Sequence, residues 1–426
     1  MTLTINADRL RVDFDALAAF GAVAADAPTE LGQAEARGVN RPSLSPAHLD
    51  ARRWFQARAA AAGLETRVDA AANHSAVLRS PRPARPARTL LLGSHLDSVP
   101  NGGRFDGALG VLAALEALRT VQEAGLALPV HLEAIDFTDE EGTLVGELGS
   151  QALAGTLAPE ALLRPRGGRA ALVAGLARAG LHESRLFEAR RDPATLAGYL
   201  ELHIEQGPRL AHSAIAIGVV TAIVGITSYR VTFSGAANHA GTTPMDARQD
   251  AGLGAAAFTL TARELVVRDF AGCAVNVGQM RFEPGAFNII PGRAELALEF
   301  RAPDALRLAE VEDALLSLAG VVARQHGLEL ELEPLGGCAP APMDPAAQAA
   351  IAAAADSLAL THMPLVSGAG HDGQSLAPLI PCGMVFVPSR GGLSHSPLEY
   401  TAWDDCVNGA NVLLRAALTL SVATAT

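Results

Sequence analysis

Apolar residues recur at three-to-four spacing over residues 13–25 and 48–62, which predicts two amphipathic helices separated by Pro42 and Pro46. A continuous apolar run over 88–93 predicts a buried strand, and an Ala- and Leu-rich stretch over 107–122 predicts a helix. Further strands are expected at 130–137 and 199–202. Strands alternating with helices imply an α/β layer around a mostly parallel central sheet. The pattern changes near Ile215. From there the chain reads strand 227–234, helix 246–265, strands 273–282 and 293–301, helix 303–326 and strand 328–332. That β-α-β-β-α-β order is the ferredoxin-like plan, compact enough to stand as an inserted α+β domain. Pro334-Leu335-Gly336-Gly337 marks the return, and helix 345–358, strand 383–387 and helix 404–420 resume the α/β character. The expected division is an α/β domain in two parts, 1–213 and 334–426, interrupted by an insert over 214–333.

Composition narrows the chemistry. A chain of 426 residues with 49% hydrophobic and 18% charged residues has enough apolar material for more than one core. Its net charge of −12 argues against nucleic-acid or anionic-membrane partners. Lysine is absent and all 33 basic residues are arginine, which rules out Schiff-base lysine chemistry and a P-loop nucleotide site. Cys273, Cys338, Cys382 and Cys406 lack C-x-x-C spacing and fit a reducing compartment. Met1–Asp8 carries no basic start before an apolar run, and the apolar stretch 413–422, interrupted by Arg415, looks too short to span a bilayer. A cytoplasmic protein without membrane partners is expected.

Metal-type ligands fall in segments that follow the predicted strands. Gly93-Ser94-His95-Leu96-Asp97 runs on to Gly102-Gly103-Arg104-Phe105-Asp106-Gly107, whose glycines let an imidazole and a carboxylate meet at one point. Asp139-Glu140-Glu141, His203 and His395 come later. Together they predict two divalent cations, one on His95, Asp106 and His203 and one on Asp106, Glu141 and His395, with Asp106 shared. Zinc comes first, with manganese, cobalt and nickel as alternatives. Adjacent side chains point apart, so Glu140 is free to act as general base while Glu141 binds metal. Asp97 is expected to accept a hydrogen bond from the second nitrogen of His95 and fix its tautomer.

These residues carry a resemblance. The segments GSHLDSVPNGGRFDG, DFTDEEG, ELHIEQGP, NHAGTTPM, FNIIPG, SGAGHD and GLSHSPLE resemble the M20 metallopeptidase superfamily. Within it they are most similar to the hydantoinase/carbamoylase amidases, which include N-carbamoyl-L-amino acid hydrolases, allantoate amidohydrolases and β-ureidopropionases. The resemblance implies that Gln206 contacts a carbamoyl group and that His239 stabilises an oxyanion. Asn288 and Arg301 would grip a substrate carboxylate, and Gly370 would add a backbone donor. It also implies that the insert is a lid and dimerisation domain, that the chain is a homodimer, and that the substrate is a small ureido carboxylate. His371 and Asp372 carry no assigned role. After Asp139-Glu140-Glu141-Gly142-Thr143, relatives often continue Arg-Phe-Gly, whereas this chain has Leu144-Val145-Gly146, so a different pocket wall is expected.

Two rival classes are weaker. A catalytically silent binding protein should have lost its base or a ligand, and all are present. A nucleotide-binding oxidoreductase would need G-x-G-x-x-G, which Gly107-Ala108-Leu109-Gly110 does not supply.

Overall fold

The computed structural model describes residues 3–24 and 37–423. It divides into two compact units, 1–221 with 343–426, and 222–342. Both boundaries fall later than the 213/214 and 333/334 read from the sequence, because the strand Ile217–Ile223 pairs within the first unit's sheet and the strand Glu329–Cys338 continues past 334 in the second.

In the first unit, β1 (Ala22–Ala24) and β2 (Arg37–Val39) form a short antiparallel ribbon. The main sheet contains β3 (Glu65–Val68), β4 (His74–Leu78), β5 (Thr89–His95), β6 (His131–Phe137), β7 (Leu196–Ile204) and β8 (Ile217–Ile223). After the second unit's β9 (Gly225–Ser234), β10 (Ala274–Glu283), β11 (Arg293–Ala302) and β12 (Glu329–Cys338), the sheet is completed by three more strands. These are β13 (Ala341–Pro342), β14 (His362–Ser367) and β15 (Cys382–Val387). The order is β13-β8-β15-β7-β5-β6-β4-β3, with β14 on β8. The centre, β15-β7-β5-β6, is parallel. The flanks are antiparallel: β4 on β6, β3 on β4, and β8 on β15. Of the flanking strands, Glu65–Val68 escapes the sequence reading because it is exposed at every position and shows no apolar alternation.

Fully buried strands need cover on both faces. The helix Ala108–Glu123 is buried over nearly its whole length. Gly110 allows it to lie flush on the sheet, since a Cβ there would stand 2.4 Å from the Leu202 carbonyl oxygen. The apolar stretch 413–422 is part of a longer helix, Trp403–Ala423, which is long and apolar enough to cross a bilayer by length and composition only. Most of its apolar window is buried, and it packs on β15, β7 and the helices Ala108–Glu123 and Pro345–Ser357. At the N-terminal end the helix runs Ala7–Leu17 and not 13–25, because the Asn6 side chain accepts from the Arg9 N–H and starts it early.

The second unit runs β-α-β-β-α-β, with its four strands antiparallel in the order β10-β11-β9-β12. In β11, Ala294, Leu296, Leu298 and Phe300 alternate with Arg293, Glu295, Glu299 and Arg301. The apolar set meets the helices Ala251–Asp269 and Ala305–Gln325, whereas the charged set faces away from that core.

Candidate metal centre

The site is built where β5 and β7 end side by side. His95 is the last residue of β5, and His203 is the penultimate residue of β7, so both belong to strands and not to the loops expected from the sequence. Parallel strands present their carboxyl ends together, which is where α/β sheets assemble sites. The chain leaving β5 is clamped on both sides. The Leu96 N–H donates to Asp136 Oδ1 at 2.8 Å, and its carbonyl accepts from Arg41 Nε at 2.5 Å. Asp136 is itself held by Arg52 at 2.7 Å in a fully buried ion pair. Arg41, Arg52 and Asp136 were not singled out by the motifs, although a carboxylate inside the apolar strand Ala134-Ile135-Asp136-Phe137 is a visible anomaly.

Gly107 opens the helix Ala108–Glu123 with φ of 63°, and a Cβ there would lie 2.4 Å from the His95 ring. Only glycine permits both that turn and that approach. The Asp139-Glu140-Glu141 turn is held by Asp139, whose φ is 62°. Its carboxylate accepts from the N–H groups of Leu144, Val145 and Gly146 at 2.9, 2.5 and 2.9 Å. Leu144 and Val145 bury their side chains in a core cluster with Leu44, Leu157 and Leu176, so they do not form the pocket wall expected of them.

The Asp106 carboxylate stands at the centre and divides its oxygens. Oδ1 lies 3.0 Å from His203 Nε2 and 3.6 Å from His95 Nε2. Oδ2 lies 3.5 Å from His395 Nε2 and accepts from Gln206 Nε2 at 2.8 Å and Ser394 Oγ at 3.0 Å. His395 Nε2 is also 3.3 Å from Glu141, whose other oxygen takes the Val99 N–H at 3.2 Å. Thus His95, Asp106 and His203 form one group with ligand atoms within 4.8 Å of one another, and Asp106, Glu141 and His395 form a second. Glu140 lies 3.4 Å from His95 Nε2.

The imidazoles are oriented as ligands. His95 Nδ1 faces the carbonyl of Asp97 at 3.0 Å, and His203 Nδ1 faces the carbonyl of Ile204 at 2.9 Å. A carbonyl only accepts, so each Nδ1 carries a proton, and in the neutral ring Nε2 keeps the lone pair that a ligand needs. Asp97 therefore fixes the tautomer through its backbone and not through the carboxylate expected to do so, which stands 3.8 Å away. The Asp97 carboxylate takes the Glu141 N–H at 3.3 Å, and burial pushes it up to about 7.

The donor set fits divalent cations. His95 Nε2 is buried, has no hydrogen-bond partner, and points between two carboxylates. Burial holds the Glu140 carboxyl well above the usual range, with Asp372, Glu141 and Asp106 adding to the rise and His95 opposing it. Burial and Asp106 do the same to Glu141. For His95, burial works against protonation, but Glu140, Asp106 and Asp97 more than offset it, and the group is held well above its ordinary range. Four carboxylates thus crowd three imidazoles, an excess of negative charge that suits cations.

A further group, Glu201, His203 and His371, also falls within 4.8 Å. Its members are otherwise engaged: Glu201 accepts from Ser94 Oγ at 2.7 Å and Tyr199 Oη at 3.0 Å, and His371 Nε2 lies 2.9 Å from Ser367 Oγ. The His371 ring packs edge-on against His203 with centroids 4.5 Å apart, which makes it a wall for that imidazole. Gly370 precedes it in the same turn, and Asp372 is fully buried behind it.

His239, Asn288 and Arg301 lie in the second unit. The His239 side chain is exposed, and its Nδ1 accepts from the N–H groups of Gly241 and Thr242 at 3.0 and 3.1 Å, so Nε2 carries the proton. The adjacent Ala240 N–H donates to the Asn288 carbonyl at 3.0 Å, which joins the two loops. Arg301 pairs with Glu299 on the same strand at 2.7 Å.

The profile of the family described as Peptidase family M20/M25/M40 matches residues 91–419. The N-carbamoyl-L-amino acid amidohydrolase of Geobacillus stearothermophilus is 39% identical over 386 residues, 90% of this chain and 94% of that protein. The allantoate amidohydrolase of Bacillus subtilis is 34% identical, over 86% of this chain and 88% of its own. Among solved structures, a hydantoinase/carbamoylase family amidase from Burkholderia phymatum superposes with a TM-score of 0.85 at 38% identity, over 100% of both chains.

Proposed function

The chain belongs to peptidase family M20/M25/M40, in its hydantoinase/carbamoylase amidase branch, and from that premise we propose that it hydrolyses N-carbamoyl-L-amino acids. The products would be the amino acid, carbon dioxide and ammonia, with one water consumed. The observation that carries this reading is the division of the Asp106 carboxylate between two groups of ligands.

His95, Asp106 and His203 would hold one divalent cation, and Asp106, Glu141 and His395 a second, with zinc favoured over manganese, cobalt or nickel. Two such ions supply Lewis acidity that polarises a carbonyl and makes water a competent nucleophile near neutral pH. Glu140 takes the proton of the attacking water and delivers it to the leaving nitrogen, a role suited to a carboxyl whose pKa burial has raised. Gln206 Oε1 is buried and without a hydrogen-bond partner, so it can accept from a carbamoyl N–H. His239, with its proton on Nε2, can donate to an oxyanion. Asn288 and Arg301 bind the substrate carboxylate, and Gly370 supplies a backbone donor.

The second unit acts as lid and dimerisation domain in this reading. Leu253, Leu260 and Val267 repeat every seventh residue on the exposed face of the helix Ala251–Asp269, and β10 is an edge strand. An apolar helix stripe beside an open edge fits a second copy of the chain. None of the four cysteines forms a disulfide, in keeping with a cytoplasmic protein.

The second reading is an allantoate amidohydrolase, favoured by the Bacillus subtilis relative, with N-carbamoyl-β-alanine as a further substrate of the same type. Ammonia release from N-carbamoyl-L-amino acids, allantoate and N-carbamoyl-β-alanine separates these. Turnover of the first class is expected to exceed the others, and ammonia from allantoate alone would overturn the proposal.

A further inference from the structure

Glu399 has no place among the ligands, yet both of its oxygens are committed immediately behind Asp106. Oε1 accepts from the N–H groups of Phe105 at 2.9 Å and Asp106 at 3.0 Å. Oε2 accepts from Ser394 Oγ at 2.8 Å. The residue is 1% exposed, so its charge is held entirely by these donors. Ser394 Oγ stands equally within reach of Asp106 Oδ2, at 3.0 Å, and also accepts from Gln206 Nε2 at 3.3 Å. A hydroxyl has a single proton, so Ser394 serves one of the two carboxylates at a time.

The chain path makes this arrangement more than local. Glu399 lies four residues after His395, and its own N–H donates to the Ser396 carbonyl at 3.0 Å, which closes the turn next to His395. Its side chain then reaches across to the backbone of Phe105 and Asp106. One carboxylate thereby ties the loop bearing His395 to the loop bearing Asp106. Gly103 leaves the space for it: a Cβ at that position would stand 2.0 Å from the Glu399 carboxyl carbon and from Oε1. A second buried carboxylate beside Asp106 adds repulsion, so its presence calls for a compensating gain in geometry.

We infer that Glu399 is a positioning residue that fixes the direction of the Asp106 carboxylate, and through it the affinity for divalent cations, with Ser394 as the link. The inference rests on the reading of Asp106 as a shared ligand. Holding the Asp106 N–H fixes the base of its side chain, while Ser394 and Gln206 hold Oδ2. Loss of the clamp frees the carboxylate to rotate, and both ligand groups lose a member at once. Groups that orient metal ligands in this way typically contribute about 10- to 100-fold in metal affinity.

The test is titration of the metal-free protein with cobalt(II) alone, followed by visible absorption and chelator competition, for wild type, Glu399→Ala, Glu399→Gln, Gly103→Ala and the Glu399→Ala/Gly103→Ala double variant. Glu399→Ala is expected to weaken cobalt binding by about 10- to 100-fold. Gly103→Ala, which keeps the carboxylate but displaces it, should weaken binding similarly. The double variant should bind no more weakly than the worse single one, because both remove the same clamp. Glu399→Gln should recover most of the affinity, since its amide oxygen can still accept the two backbone N–H groups. A purely structural role predicts lower melting temperatures of the metal-free protein with cobalt affinity intact. Wild-type affinity in both Glu399→Ala and Gly103→Ala overturns the inference; if Glu399→Ala does not fold, Gly103→Ala decides alone. Failure of wild type to bind cobalt at all would instead overturn the metal reading of the site, and this inference with it.

Discussion

The two units treat their polar residues in opposite ways. In the first, Asp97, Asp106, Asp136, Asp139, Glu201 and Glu399 are all buried, each engaged by backbone N–H groups, hydroxyls, arginine or imidazole. In the second, His239 and Asn288 are exposed, and the charged residues of β11 line the face away from the helices. Burying an ionised group is costly unless partners surround it, so the first unit holds its chemistry in a rigid, over-determined frame. Exposed and half-buried groups on a one-sided sheet cost little to solvate. Under the proposed function, the first unit holds the metal ligands and the general base, and the second supplies the oxyanion donor and the contacts to the substrate carboxylate.

Variants can break that division, and the largest effect is expected at Glu140. Glu140→Ala should lower kcat by about 10²- to 10⁴-fold while metal analysis finds the ions retained. Undiminished turnover would remove Glu140 from the mechanism. His239→Ala should lower kcat by about 10²- to 10³-fold, again with metal content unchanged, because it lies in the other unit. Loss of metal in that variant would contradict the assignment of the metal ligands to the first unit alone.

Next comes Gly107→Ala, whose Cβ would meet the His95 ring at 2.4 Å. Cobalt affinity should drop at least as far as the 10- to 100-fold expected for a disturbed ligand orientation, at about unchanged helix content by circular dichroism. Retained affinity would show that the turn can move aside.

A smaller effect concerns pH. Burial, with help from Arg52, lowers the pKa of His74 to about 3, from an ordinary 6.5 in the unfolded chain. As pH falls from 6.5 toward 3, the unfolded chain takes up a proton that the folded chain refuses. Stability contributed by the neutral imidazole is complete above 6.5 and is lost across that window, by up to about 1.4 kcal/mol per unit. Glu147, raised to about 7 by burial, acts with the opposite sign, gaining stability as pH falls from 7 toward 4.5. The comparison is therefore between wild type and His74→Gln, whose urea midpoint should fall less steeply on acidification. Parallel slopes would clear His74 of the effect. Least costly to the fold is Leu260→Ser on the exposed stripe, with stability changed by about 0.5 kcal/mol or less. Sedimentation should nevertheless show the proposed dimer weakened; an unaltered dimer would move the interface elsewhere.

Much of this was legible in the chain. The strand–helix alternation, the order of elements over 222–342 and the convergence of His95, Asp106, Glu141, His203 and His395 follow from periodicity and from motifs placed at strand ends. Among the antiparallel flanks, Glu65–Val68 was not, since it is exposed at every position and leaves no apolar signature. The buried supports Arg41, Arg52 and Asp139 were not legible either, because unlike Asp136 they do not interrupt an apolar strand run.

What the sequence determined by itself is which residues are of metal-ligand type and which strand ends they follow, because alternation and turn-forming glycines are local properties. What tertiary structure alone decided is how those side chains are held. Asp97 acts through its carbonyl, Leu144 and Val145 turn into the core, and Glu399 reaches Asp106 across nearly three hundred positions. Such contacts depend on where strands stack and how much room a glycine leaves, and no local pattern records either.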